Sequence, residues 1–85
     1  MPSIPLRVML TDVWDEFSLD LPSDTPLSQV KQRVLELGRI TSDPARYVIK
    51  YRGAQLEDEA KSLADLGLVR NAPLIMLPRR RQPVR

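Results

Sequence analysis

The sequence predicts a two-layer α+β sandwich, with one amphipathic helix laid across one face of a mixed sheet. Three observations lead there. Residues 4–10 and 16–21 alternate apolar and polar side chains, the two-residue period of half-buried strands. Leu27, Val30, Val34 and Leu37 then recur at helical spacing and form one apolar stripe. Two further β-type runs follow, at 47–51 and 73–77. An apolar stripe must be buried against another element, and the inward residues of the strands supply that surface.

In the first strand Ile4, Leu6, Val8 and Leu10 share one face, and Pro5, Arg7 and Met9 the other. The second strand places Phe17, Leu19 and Leu21 inward. Residues 11–15 between them lack the Asn-Gly or Asp-Gly signal of the tightest hairpins, so a loop of about four or five residues is expected. Thr25 reads as the helix N-cap with Pro26 at the first helical position, where a missing N–H costs nothing. Lys31, Gln32, Arg33 and Glu36 are expected to face away from the core, and Gly38 to end the helix in the left-handed conformation. Residues 42–44 read as a loop. In the third strand Tyr47, Ile49 and Tyr51 point inward, and Val48 and Lys50 outward. Arg52 and Gly53 make a turn, residues 54–56 a very short fourth strand, and residues 63–68 a short helical turn closed by Gly67. Leu74 and Met76 point inward from the last strand, and Pro78 ends it.

Composition removes several classes of function. The 85 residues suffice for one small domain, expected over 1–78, with a basic and flexible tail over 79–85. There is no cysteine, hence no disulfide and no thiol nucleophile, and no histidine, the usual general base and commonest metal ligand. No nucleophile–base pair, metal cluster or phosphate loop is visible, so an enzyme is not expected, nor a cofactor. No apolar run approaches the roughly 20 residues of a membrane span, and the N-terminus lacks a signal-peptide core. The expected location is cytoplasmic. The net charge of +2 hides an asymmetry, because Arg79, Arg80, Arg81 and Arg85 hold four of the 13 basic residues. The body up to Pro78 keeps 9 basic against 11 acidic residues, a charge of −2.

Four motifs then occur in order. They are Pro22-Ser23-Asp24-Thr25 before a helix with Val30-Lys31, then Gly53-Ala54-Gln55-Leu56-Glu57-Asp58, then Ser62-Leu63-Ala64-Asp65, and finally Leu74-Ile75-Met76-Leu77 followed by arginines. This series resembles the ubiquitin family and spans most of the chain. The resemblance implies the β-grasp fold, a mixed sheet of four to five strands packed on one helix, with the first and last strands parallel in its middle. It implies nothing as firm about function, because many functions share one fold. Glu57 and Asp58 are not read as a catalytic pair, since strand neighbours point to opposite faces.

The resemblance places a candidate binding surface on the outer sheet face, where family members carry an aliphatic patch. Here that face would present Met9, Val48, Lys50, Ile75 and Leu77. Lys50 takes the place of the family's central isoleucine, so binders of ubiquitin itself are not expected to accept it. A charge buried there without a partner would be costly. Trp14 has two roles open, covering a sheet edge or making a binding contact, a role in which tryptophan is enriched. Lys31 matches a family lysine, whereas the lysine after the motif glycine is Ala54 here, which removes lysine-linked chains through that site. Conjugating and sulfur-carrying members end in Gly-Gly, whose lack of Cβ lets the backbone thread a narrow channel. The matching positions here read Gln82-Pro83-Val84-Arg85, and no glycine follows Gly67.

The expectation is a non-enzymatic module that binds a protein partner through the outer sheet face, itself a monomer or weakly self-associating. One alternative is a covalent modifier or carrier with a non-standard C-terminus. Another is weak anion or nucleic-acid binding through the arginine-rich tail. Four arginines could release a few counterions, but no aromatic residue lies there to stack on bases.

Overall fold

The fold was taken from a computed structural model, which describes residues 3–79. Strand β1 (Ser3–Leu10) pairs antiparallel with β2 (Asp15–Pro22), and the register from Ser3↔Pro22 to Leu10↔Asp15 leaves a four-residue loop, 11–14. Helix α1 (Leu27–Leu37) follows, then a single 3₁₀ turn (Pro44–Arg46) and β3 (Tyr47–Tyr51). Strand β4 (Ala54–Gln55) pairs antiparallel with β3, and β5 (Ala72–Pro78) runs parallel to β1 and antiparallel to β3. The five strands lie in the order β2-β1-β5-β3-β4. The first and last strands are thus parallel neighbours at the centre of the sheet, as the family resemblance implies.

The core fills the space between α1 and one sheet face. Leu6, Val8, Leu10, Ile49, Leu74 and Met76 project from the sheet and Leu27, Val30 and Val34 from the helix, all buried. Phe17, Leu21 and Tyr51 are half-buried at its margin. Tyr47 is buried too, and its hydroxyl donates to Asp12 Oδ2 at 2.5 Å, tying the start of β3 to the β1–β2 loop.

The helix differs from the sequence expectation in its buried stripe and at both ends. The buried positions are Leu27, Val30, Lys31, Val34 and Leu35, the i, i+3, i+4, i+7, i+8 series of a broad core-facing stripe. Leu37 falls off that series and is exposed. Lys31, expected outward, is fully buried; its stem lies in the core and its Nζ reaches Glu59 Oε2 at 2.5 Å. Thr25 does not cap the helix. The cap position is Pro26, with no side-chain bond, and the first free N–H groups of Leu27 and Ser28 donate to the carbonyls of Lys61 and Glu59, each at 3.1 Å. Gly38 is right-handed, at φ −81°, and Arg39 is the left-handed residue at φ 58°. A Cβ at 38 would lie 2.9 Å from Leu10 Cδ2, so the glycine lets that side chain pack closely.

The connections are built from local hydrogen bonds. Arg52 (φ 55°) and Gly53 (φ 81°) are both left-handed, the pattern of a two-residue type I′ hairpin between β3 and β4. Asp43, expected in a loop, caps the 3₁₀ turn by accepting from the Ala45 N–H at 2.9 Å. Residues 63–67 form turns rather than a helical segment. Ser62 Oγ accepts from the Asp65 N–H at 3.1 Å, and Gly67 is left-handed at φ 73°. Leu63 and Leu68 anchor that segment in the core. Among the described residues no helix is long and apolar enough to cross a membrane.

Candidate functional site

The helix covers one sheet face and leaves the other open. Strand pairing fixes what the open face presents. Glu16 pairs with Met9, Met9 with Ile75, Ile75 with Lys50 and Lys50 with Gln55. These five residues therefore make one row across all five strands. In the next row Val48 pairs with Leu77. Two residues the other way, Ser18 pairs with Arg7 and Arg7 with Pro73.

The register thus brings Met9, Val48, Lys50, Ile75 and Leu77 together. Their exposure is uneven. Ile75 is 47% exposed at the centre, Met9 and Leu77 are half-buried, and Val48 is only 6% exposed although it stands outside the main core. Lys50 is exposed, so the feared cost of a buried charge does not arise. Among the described residues neither Lys50 nor Glu16 takes part in an ion pair, the pairs being Lys31–Glu59 and Arg33–Glu36.

Val48 and Leu77 belong to the floor of an open cleft of about 520 Å³, together with Lys50, Gln55, Pro78 and Arg79. Arg79 is held there. Its N–H donates to the Arg46 carbonyl at 2.5 Å and its Nε–H to the Ala45 carbonyl at 3.3 Å. It carries the pairing of β5 with the β3 side one residue beyond Pro78. The anchoring carbonyls come from the 3₁₀ turn, whose place beside β5 no local pattern announces. Gln55 was recoverable, because a two-residue turn at 52–53 sets it opposite Lys50. The other tail arginines singled out from the sequence, Arg80, Arg81 and Arg85, lie outside the described residues.

Trp14 does not cover a sheet edge. It is 75% exposed and left-handed at φ 54°, next to exposed Val13 in the β1–β2 loop. The loop lies at the same end of the sheet as the cleft. Strands β1 and β5 run parallel, and the Thr11 N–H donates to the Met76 carbonyl at 3.1 Å.

No protein-family model matches the chain, and no curated protein sequence matches it. Solved structures do. The ubiquitin-like domain of an Arabidopsis thaliana protein superposes with a TM-score of 0.78 at 14% identity, covering 100% of this chain and 86% of that one. Ubiquitin from Caldiarchaeum subterraneum gives 0.77 at 15% identity, over 95% of this chain and 99% of that one. A de novo designed protein based on ubiquitin gives 0.77 at 16% identity, over 98% and 96%. At such identities the likeness carries the fold alone. The fold is ubiquitin-like: an α+β β-grasp with one helix on a five-stranded mixed sheet.

Proposed function

We propose that this chain is a non-enzymatic protein-interaction module. It binds a protein partner through the outer sheet face, with Met9, Val48, Lys50, Ile75 and Leu77 as contacts and Trp14 beside them. One observation carries the reading. An apolar centre, Ile75 and Leu77, is left on a sheet face that the chain's own helix does not cover, next to a cleft floored by Val48 and Pro78. Contiguous apolar surface of this kind usually marks an interaction site. Lys50 in the central row adds a fixed positive charge, which favours partners with an acid near their apolar anchor.

The test is capture from host-cell extract by the immobilised chain, with Leu77→Asp as the comparison. The variant is expected to fold and to lose the captured protein. A folded Leu77→Asp chain that still retains it would overturn the reading.

A further inference from the structure

The open face carries opposite charges at opposite sides, with apolar residues between. Along the central row the order is Glu16, Met9, Ile75, Lys50. Strands are about 4.8 Å apart, so the two charges stand roughly 14 Å from each other. A uniformly acidic or basic partner would be attracted by one side and repelled by the other. A second copy of the same face has the charges in the order needed.

We propose that the outer sheet face is self-complementary and pairs two copies of this chain, face to face, about a two-fold axis. This rests on the outer face being a binding surface, as proposed above, and adds a second copy of the chain to what that face takes. The axis lies in the plane of the interface, along the strands and between β1 and β5. Such an axis sets β2 of one copy over β3 of the other, and β1 over β5. Glu16 then meets Lys50 of the second copy, and Met9 meets Ile75. Each contact occurs twice, as a two-fold interface requires. One row away, Arg7 meets the uncharged Pro73, so no like charges are opposed in these rows. In the other direction, the loop bearing Val13 and Trp14 meets the cleft floored by Val48, Leu77 and Pro78. Two cations, Lys50 and Arg79, border that cleft and favour an indole between them. Packed sheets cross at about 30°, an offset that the long Glu and Lys side chains span.

The face is small. The four overlapping strands, by five residues, give on the order of 300 Å² of plan area per copy, below the roughly 800 Å² per partner of a standard stable complex. The pairing is therefore transient, with a dissociation constant on the order of 100 µM to 1 mM.

Charge reversal tests it without touching the core. Sedimentation equilibrium and amide NMR shifts are followed from about 20 µM to about 2 mM, bracketing that range. The wild-type chain is expected to shift toward dimer mass, with concentration-dependent signals at Met9, Glu16, Lys50, Ile75 and the Trp14 indole. Glu16→Lys alone, or Lys50→Glu alone, opposes like charges twice and should weaken pairing at least about tenfold. An equimolar mixture of the two variants opposes unlike charges at both places and should recover a heterodimer, which also shows that both variants are folded. A wild-type chain that stays monomeric at about 2 mM, or a mixture that stays monomeric, overturns the proposal. The capture experiment, run with the chain at about 1 µM, is too dilute for self-pairing and reports on the protein-interaction reading separately.

Discussion

Lys31 occupies a core position of α1, and its charge is held by a single carboxylate. Glu59 is 29% exposed whereas the Lys31 side chain is 1% exposed, so the two ends of the pair are not equivalent. Removing the acid strands a buried ammonium; removing the base leaves a carboxylate that water can still reach. Glu59→Ala is expected to cost about 3 kcal/mol, at the low end for uncovering a buried charge, and Lys31→Met clearly less. Urea midpoints of the two variants check the order, and equal losses would contradict it. Tyr47 offers a second residue-scale test. Burial raises its phenol above the ordinary value near 10, and the hydrogen bond to Asp12 raises it further. Between that ordinary value and the raised one, the folded chain keeps a proton that the unfolded chain releases. The stability is therefore intact below pH 10 and declines as pH rises through the folded value. Tyr47→Phe should flatten the alkaline part of a stability–pH curve relative to wild type. An unchanged alkaline slope would mean that Tyr47 is not its source.

At the scale of elements, α1 owes its start to another part of the chain, while its end is closed by local bonds from Gly38, Arg39 and Ile40. Its first N–H groups are bonded by the backbone at residues 59–61, and the Leu63 N–H donates to the Thr25 carbonyl at 3.0 Å. The long segment between β4 and β5 thus serves as the cap that Thr25 does not provide. At the other end, Gly38 continues the buried stripe one turn beyond Val34 and lets Leu10 of β1 approach. Gly38→Ala is expected to destabilise by about 1 kcal/mol, because the tip of the fully buried Leu10 side chain must shift to admit the Cβ. This runs against the ordinary expectation that alanine improves a right-handed glycine position. Thermal or denaturant unfolding of the variant decides between them.

At the scale of the molecule, the helix divides the sheet into a covered face and an open one, and the strand alternation assigns each residue of β5 to one of them. Met76 is fully buried while Ile75 and Leu77 beside it are not. Leu77→Asp gives up a half-buried strand side chain and should cost about 1–2 kcal/mol while leaving the chain folded, whereas the same change at Met76 buries an unpaired carboxylate and should unfold the chain. Comparing their melting curves checks that the loss of capture expected for Leu77→Asp is a surface effect.

Much of this arrangement was legible in the residues. Period-two alternation set the faces of β1, β2, β3 and β5, and Gly53 set the β3–β4 turn, because side-chain period and positive φ are properties of short stretches. The candidate patch followed once the order of strands was known. Residues whose role depends on distant neighbours were misread. Lys31 looks like a solvated charge until Glu59 is placed beside it, and Thr25 like a cap until residues 59–61 occupy the helix start. Trp14 is open to either role from the sequence, and its exposure is a matter of where the loop stands. By itself the sequence determined the main strands and the helix, most of their inward faces and the ubiquitin-like fold. Only the tertiary structure decided which charges are paired, which helix groups need an outside partner, and how exposed each residue of the open face is, because those depend on segments brought together by packing and not by spacing along the chain.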